Sequence, residues 1–232
     1  MSLHRSNVLL MGDKADQPLS TPTEEPAWKQ RAVERSTQAA KRRAEQRVER
    51  FLDAAQAIMA GKGTTDFTVQ EVVDRSQQSL RSFYQHFDGK HELLLALFED
   101  AMSKSAEQLR TAAAEHSDPL DRLKVAVRTL FEISCPDPAA KRPLFTDFAL
   151  RLLVSHPNEL RVANAPLLAL LTELMTDLEE AGLLREGFEP RRVAALTMQT
   201  VMSNAQSSGQ TGSHPITADE VWDFCAKGFT LS

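Results

Sequence analysis

The chain has 232 residues, of which 42% are hydrophobic and 25% are charged, and its formal net charge is −5. These values fit a soluble protein of one or two domains with a sizeable core. A membrane-spanning protein is excluded because no apolar run approaches the roughly 20 residues of a spanning helix. The apolar run Val8–Met11 is too short for the core of a signal peptide, so no export is expected.

The beginning of the chain differs from the rest in charge. Residues 1–25 are polar and contain proline, serine and threonine, which predicts a disordered tail. Pro26 suits the first turn of a helix, and residues 26–43 are predicted as a basic arm or helix. Residues 28–50 carry eight basic and three acidic side chains, whereas residues 91–232 carry thirteen basic and twenty acidic ones. Clustered positive charge indicates a surface that contacts phosphates, although a solvated helix face is the plain alternative.

A core-facing helix is predicted after this basic segment. An apolar stripe with helical spacing runs through it, and Gly61 and Gly63 are expected to end it; the stripe consists of Val48, Phe51, Leu52, Ala55, Ile58 and Met59. The pattern leaves open whether Arg31–Arg43 is a separate helix or continues this one.

Residues 64–90 have the pattern of two short helices joined by a tight turn. Thr68 and Glu71 form a capping box that opens the first helix, and Ser79 is placed to cap the second. In the second helix, one apolar face is expected from Leu80, Phe83, Tyr84 and Phe87. A short helix, a turn and a helix with a polar outer face make a helix-turn-helix. In DNA-binding versions of this motif, the second helix enters the major groove.

The run Phe83–Lys90, followed by Glu92-Leu93-Leu94, resembles the end of the DNA-binding domain of TetR-family transcriptional regulators. Phe51–Ala55 and the Gly61–Gly63 exit resemble that domain's first helix, so the likeness covers about residues 44–98. The family usually has glycine near the turn, where this chain has Gln77. A left-handed backbone is easy for glycine and unfavourable for glutamine.

The resemblance implies an all-α fold in which a three-helix DNA-binding domain at 44–90 precedes a helical regulatory and dimerisation domain at 91–232. It also implies phosphate contacts by Tyr84, His86 and Lys90. Helical N-terminal geometry adds Thr68 as a phosphate contact through its backbone N–H. Predicted base readers share polar side chains on the second helix and its start, and are Gln78, Ser79, Arg81, Ser82 and Gln85. An arm that touches the minor groove or backbone is hypothesised from Lys41, Arg42 and Arg43.

Further helices are expected along residues 91–232. Predicted starts are Asp88, Asp118-Pro119, Glu189-Pro190 and the capping box Thr217/Glu220, whereas Gly182 is expected to end a helix that Pro166 kinks or restarts. Ser207–Gly212 is predicted as a flexible break.

The resemblance further implies a homodimer and an effector ligand. The last two helices, within about 189–230, are the predicted dimer contact, with Ala194, Ala195, Thr197, Met198, Val201, Met202, Ala205, Trp222, Phe224 and Phe229 as candidates. The ligand is expected to be small and largely apolar, and its candidate contacts are Phe131, Phe145, Phe148, Leu152, Leu171 and Met175. Packing within one chain is the alternative for both sets.

An enzyme is not indicated, because the chain lacks a Walker loop, GxGxxG, GxSxG and HExxH. No cofactor is predicted. His156 and Glu159 share a helical spacing but lack further partners in sequence, so no metal site is predicted. Cys135 and Cys225 are far apart, which fits a reducing cytoplasm.

The sequence thus predicts a DNA-binding regulator that responds to a ligand and binds a palindromic operator as a homodimer. Repression is the activity predicted first. An activator of the same type and a helical protein-interaction module without specific DNA binding remain as alternatives.

Overall fold

A computed structural model of the protein describes residues 26–135, 148–208 and 215–230. The predicted disordered tail 1–25 and the candidate ligand contact Phe145 lie outside the described residues. The chain divides into two units, Met1–Ala44 and Glu45–Ser232, which are described separately.

The described part of the chain is helical, as predicted. Its ten helices are α1 (Ala27–Lys62), α2 (Val69–Ser76), α3 (Leu80–Tyr84), α4 (Lys90–Ala114), α5 (Pro119–Ser134), α6 (Ala149–Ser155), α7 (Pro157–Ala163), α8 (Ala165–Glu180), α9 (Pro190–Ser208) and α10 (Ala218–Phe229). A single antiparallel bridge joins Leu184 to Thr230 within these described ranges.

In the first unit, the described residues form the beginning of α1. Arg31–Arg43 belong to that helix. Of the two alternatives that the sequence left open, the segment therefore continues the core-facing helix and is not a separate one. Most of these side chains are exposed. The Nε atoms of Arg35 and Arg43 donate to the carbonyl oxygens one helical turn earlier, at 3.2 Å in both cases.

In the second unit, the predicted apolar stripe of α1 faces the core. Phe51, Ala55 and Met59 are buried, and the remaining members are half-buried. The helix ends at Lys62, and Gly63 follows with a positive φ of 70°, a conformation that glycine adopts without a steric penalty.

The main core of the second unit lies among the later helices. α4 packs on α5, and both pack on α8; α9 packs on α5 and α8; α10 covers α5 and α9. Leucine side chains fill the centre, including Leu109, Leu123, Leu167 and Leu171. Two ion pairs attach α8 at its edge: Arg110 binds Glu173 at 2.9 and 3.1 Å, and Arg122 binds Asp177.

Several predicted helix boundaries are confirmed. Asp118 Oδ1 accepts the N–H groups of Leu120 and Asp121 at 2.9 and 3.0 Å. Both predicted capping boxes are present, Pro166 lies in the first turn of α8, and Gly182 follows that helix with φ 69°.

Two predicted boundaries are wrong. Asp88 does not cap α4: the cap is Gly89, without a side-chain bond, and the Asp88 N–H donates instead to the Glu92 carboxylate. The Glu92 carboxylate therefore accepts a hydrogen bond from the backbone of the segment that precedes α4. Ser207 and Ser208 do not begin a flexible break, since they form the last turn of α9. The other residues of that predicted break, 209–212, lie outside the described residues.

None of the described helices is both long enough and apolar enough to cross a membrane.

Candidate functional site

The helix-turn-helix rests on a cluster of three phenylalanine rings. Phe51 of α1 meets Phe83 of α3 edge to face, with ring centroids 5.4 Å apart, and Phe87 lies 5.4 Å from Phe83 and 6.3 Å from Phe51. All three side chains are buried. Aromatic pairs in this arrangement are favourable beyond the area that they bury. The cluster therefore fixes the short helix α3, which has too few residues to be stable alone.

The start of α2 is fixed by the capping box and by one lysine. Glu71 Oε2 accepts the Thr68 N–H at 2.8 Å, Thr68 Oγ1 accepts the Glu71 N–H at 3.2 Å, and Lys62 Nζ lies 2.6 Å from Glu71 Oε1. The Lys62 ammonium group first, and the Thr68 N–H second, lower the pKa of Glu71 from its ordinary 4.5 to about 2. Glu71 is thus ionised at neutral pH. A phosphate contact through the Thr68 N–H, as predicted, requires this carboxylate to move away.

The turn between α2 and α3 is left-handed at Gln77. This residue has φ 55° and ψ 35°, and it is the only non-glycine with positive φ in the described ranges. The glutamine thus occupies the conformation for which the family's glycine is suited, and the turn is retained with a side chain in place. The N–H groups of Gln77 and Gln78 still satisfy carbonyls of the last turn of α2.

The expected single apolar face of the second helix is only partly correct. Phe83 and Phe87 are buried, but Leu80 is 43% exposed and Tyr84 is 55% exposed. α3 ends at Tyr84, but the Phe87 N–H still donates to the Phe83 carbonyl at 2.9 Å, so Phe83 and Phe87 keep the helical spacing. Tyr84 packs the edge of its ring against Phe83, with centroids 5.4 Å apart. Its hydroxyl is therefore free to face a ligand.

Predicted base readers divide into exposed and occupied side chains. Arg81 and Gln85 are exposed, and Arg81 has no hydrogen-bond or ion-pair partner within the described ranges. Ser79 caps α3 by accepting the Ser82 N–H at 3.1 Å, and the half-buried Gln78 amide donates to the Gln77 carbonyl at 3.2 Å. The Ser82 hydroxyl oxygen is buried and makes no hydrogen bond to a described residue. In this conformation Ser82 does not present that oxygen to a ligand.

The remaining predicted phosphate contacts lie at the exit from α3. His86 has a buried Nε2 atom without a hydrogen-bond partner among the described residues, so this atom does not face solvent. Lys90, in the first turn of α4, lies 3.9 Å from Asp66 Oδ1 and 4.9 Å from the centre of the Phe67 ring. The pKa of Lys90 is lowered from its ordinary value, and the main cause is burial of the side chain. The three arm residues Lys41, Arg42 and Arg43 are exposed in the first unit.

The predicted ligand contacts are core residues. Phe131, Phe148, Leu152, Leu171 and Met175 are all buried, from 0% to 5% exposed. Two of them border an open groove of about 280 Å³: Phe148 and Leu152 line it together with Lys90, His91, Leu94, Arg151, Ser155 and His156.

The predicted dimer residues fall into two groups. Six lie in the chain's own core, which corrects their expected role as contacts; they are Ala194, Thr197, Val201, Ala205, Trp222 and Phe229. Phe224, by contrast, is 74% exposed, and Ala195, Met198 and Met202 are half-buried. Within α10, Val221 and Cys225 are buried, whereas Phe224 and Gly228 are exposed.

Sequence reasoning missed two apolar side chains beside Phe224. Leu196 of α9 is 66% exposed, and Ile216 before α10 is 43% exposed. Both line open grooves that Phe224 also lines, one of about 620 Å³ and the other of about 380 Å³. Exposure could not be assigned from the sequence, because several residues of α9 are apolar or small on more than one face.

Comparison with known proteins finds a family match for the helix-turn-helix region. Residues 51–97 match the sequence model of "Bacterial regulatory proteins, tetR family". The HTH-type transcriptional activator FasR of Mycolicibacterium smegmatis is 30% identical over 95 residues, a match that covers 41% of this chain and 43% of that relative. The match thus spans less than half the length of either protein.

Solved structures share the fold over most of the chain. FadR from Bacillus subtilis in complex with stearoyl-CoA superposes with a TM-score of 0.62 at 18% identity, over 78% of this chain and 98% of that one. RolR in complex with resorcinol gives 0.60 at 19% identity, over 81% and 87% of the two chains. NemR of E. coli in its reduced form gives 0.60 at 15% identity, over 80% and 97%.

Proposed function

We propose that the chain is a ligand-responsive repressor of bacterial genes and a member of the TetR family of DNA-binding transcriptional regulators, whose sequence model residues 51–97 match. It acts in the cytoplasm as a homodimer on a palindromic operator. Each protomer inserts α3 into one major groove, and a small effector releases the DNA.

The observation that carries this proposal is the outward face of α3. Arg81, Tyr84 and Gln85 are exposed and polar at their tips, while the opposite face of the same helix is held by Phe83 in the aromatic cluster. Arginine pairs with guanine and glutamine with adenine through two hydrogen bonds each. We assign base reading to Arg81 and Gln85 first, and phosphate contact to Tyr84 and Lys90. The other predicted contacts have secondary roles in this proposal, because their polar groups are half-buried or already make hydrogen bonds within the chain. They are Thr68, Gln78, Ser79, Ser82 and His86.

A homodimer is supported by the apolar surface of α9 and α10. A single helix-turn-helix reads a short half-site, and two-fold symmetry places two such helices one DNA turn or a multiple apart. Exposed apolar side chains that rim a groove are typical of protein interfaces. Phe224 and Leu196 provide this surface, and they replace the buried residues of the predicted dimer set.

Effector binding is supported by the neighbours alone. FadR binds stearoyl-CoA and RolR binds resorcinol in the structures named above. For this chain we propose a largely apolar effector near Phe148 and Leu152, the predicted contacts that border an open groove. An effector that prefers the conformation unable to dock on DNA shifts the population away from the bound state.

Activation is the second candidate function. The relative with 30% identity over 95 residues is named as an activator. Both activities need the same DNA contact, so transcription from the target promoter, measured with and without the protein, separates them.

The proposal is tested by fluorescence anisotropy with DNA from upstream of the protein's own gene and with an unrelated duplex, at two salt concentrations. We expect binding to the upstream DNA at least about a thousandfold tighter than to the unrelated duplex. Equal, strongly salt-dependent binding to both duplexes would indicate phosphate contacts only. Absence of binding to either DNA would favour the protein-interaction module.

A further inference from the structure

Two histidines and one glutamate converge on the side of the second unit where α4 meets α7. His91 is the second residue of α4, His156 separates α6 from α7, and Glu159 lies in the first turn of α7. One ligand atom from each residue lies within 4.8 Å of the other two. No third ligand lies near His156 and Glu159 at a helical spacing in the sequence. His91 becomes their partner through the packing of α7 on α4.

The contacts within this cluster are close. His91 Nε2 lies 2.7 Å from Glu159 Oε2, and the His91 and His156 rings are 4.6 Å apart between centroids. The Phe148 ring also packs near the His91 ring, with centroids 5.6 Å apart. Two imidazoles and one carboxylate thus point to a common space whose outer side is open to solvent, because both histidines are exposed and Glu159 is half-buried.

We propose that His91, His156 and Glu159 bind a divalent transition metal, with Zn²⁺ as the first candidate. Two histidine nitrogens and one carboxylate oxygen are a ligand set that Zn²⁺ uses with water in the fourth position. Ligand atoms about 2.0–2.2 Å from a tetrahedral Zn²⁺ lie roughly 3.4 Å apart. His91 Nε2 and Glu159 Oε2, which are 2.7 Å apart, therefore need to separate slightly, whereas ligand atoms that are up to 4.8 Å apart need to approach one another. Exposed side chains make this adjustment by rotation about their own bonds.

Two cations, Lys90 and Arg151, line the same groove as His91 and His156, but both make contacts outside the cluster. Lys90 is held by Asp66 and the Phe67 ring, and Arg151 donates a hydrogen bond to the Thr65 hydroxyl. Both contacts direct positive charge to the loop between α1 and α2. The cluster therefore keeps two nitrogen ligands and one anionic ligand for the metal.

The position of the site connects it to DNA binding. His91 follows Lys90 directly, and Arg151 of α6 contacts the loop that leads into α2. A metal that holds α7 to the start of α4 would restrain both connections to the helix-turn-helix. This consequence rests on the proposed function, whereas metal binding itself does not.

The site is tested by competition for Zn²⁺ with a chromophoric chelator, using the full chain without a histidine tag. We expect one Zn²⁺ per chain, and at least about tenfold weaker binding in His91→Ala, His156→Ala and Glu159→Gln. His116→Ala is the matched control, because His116 is an exposed histidine outside the cluster and its loss should not change Zn²⁺ affinity. Mg²⁺ should not compete, since it prefers oxygen ligands.

Failure of Zn²⁺ to bind stoichiometrically, or the same affinity in wild type and all three cluster variants, would overturn the site. Circular dichroism of each variant verifies that lost binding is not lost folding. Glu159→Gln adds a second safeguard, because it keeps the shape of the side chain and removes its charge.

The regulatory consequence has a separate readout in operator affinity with and without Zn²⁺. A change of about threefold or more in wild type that disappears in His91→Ala supports it; unchanged affinity would overturn it. A protein that binds Zn²⁺ but no operator would contradict the proposed function and leave the metal site standing.

Discussion

Two helical pairs of the second unit, α2–α3 and α9–α10, are built alike and differ in what they present to solvent. Each contains a capping box, Thr68/Glu71 in the first pair and Thr217/Glu220 in the second. Each rests on buried aromatic rings, with Phe51 and Phe83 below α3 and Trp222 and Phe229 6.3 Å apart in α10. The outward face of α3 carries the polar tips of Arg81 and Gln85, whereas the face of α9–α10 carries Leu196 and Phe224.

The difference shows that helix pairs with the same kinds of cap and buried ring can present surfaces that suit different partners. Caps and buried rings hold each pair of helices in place. The exposed side chains then decide between a charged, hydrogen-bonding partner and an apolar one. Substitutions below a surface should therefore disturb folding, and substitutions on a surface should disturb one partner only.

The largest effect is expected for Phe83→Ala, which removes the central ring of the aromatic cluster. Phe83 is fully buried and contacts Phe51 and Phe87. Loss of a buried phenylalanine ring typically lowers the free energy of unfolding by about 3–5 kcal/mol. Urea unfolding followed by circular dichroism measures the change. Tyr84→Ala, which removes a neighbouring exposed ring, is the control; an equal loss in both variants would contradict the assigned division between core and surface.

A smaller effect on folding, and a large one on association, is expected for Phe224→Asp. Its ring is 74% exposed on the proposed dimer surface, where a buried charge should weaken association at least a hundredfold, about 2.7 kcal/mol. Light scattering at micromolar concentration should find monomers.

Val154→Asp is the matched control for this substitution, since Val154 is an apolar residue of α6 that is 83% exposed. A dimer that persists in Phe224→Asp but is lost in Val154→Asp would move the interface to α6. A wild-type monomer would remove the proposed dimer altogether.

A modest gain of stability is expected for Gln77→Gly at the turn of the DNA-facing pair. Gln77 has φ 55°, where a residue with a β-carbon is disfavoured by about 1–2 kcal/mol. Glycine removes this strain but loses more chain entropy on folding, so a net gain of about 0.5–1 kcal/mol should appear in thermal or urea unfolding. Gln77→Ala keeps the β-carbon and should give no gain; stabilisation by alanine equal to that by glycine would contradict the strain.

The smallest effect concerns pH and compares the two capping boxes. Glu71 has a folded-state pKa of about 2, below its ordinary 4.5, so its contribution to stability is present above about pH 4.5 and is lost as pH falls towards 2. Thr217 also lowers the pKa of Glu220, and no lysine among the described residues contributes to that shift.

Unfolding free energies of Glu71→Gln and Glu220→Gln, measured against wild type from pH 6 to pH 2.5, test this comparison. Each difference should shrink as the medium becomes acidic, and it should be larger for Glu71 because Lys62 is 2.6 Å from its carboxylate. A difference for Glu71→Gln that does not depend on pH would contradict the role of its charge.

Local patterns predicted much of the fold. The capping boxes, the Asp118 start and the Gly182 end follow from hydrogen bonds between residues that are near in sequence, so the sequence suffices to locate them. Asp88 was misassigned because a competing local bond, from its N–H to Glu92, is equally compatible with the sequence.

The candidate sites were less predictable because they depend on long-range packing. Of the apolar face expected on the second helix, only Phe83 and Phe87 meet the Phe51 ring of α1, whereas Leu80 and Tyr84 stay exposed. Ala194 and Val201 are residue types that suit a dimer contact as well as a core. The packing of α9 on α5 and α8 buries them within the chain, and the sequence does not show this packing. His91 and Glu159 are 68 positions apart, so no local spacing relates them.

The central claim is that α3 reads DNA bases while its neighbours contact phosphates. The most direct test is the ratio of affinities for the upstream DNA and an unrelated duplex, measured by anisotropy for wild type, Arg81→Ala and Tyr84→Phe. Arg81→Ala should reduce this ratio about tenfold or more, in line with about 1–3 kcal/mol for a base contact, whereas Tyr84→Phe should weaken binding to both duplexes equally and preserve the ratio. An unchanged ratio in Arg81→Ala would contradict the assignment of sequence reading to this face.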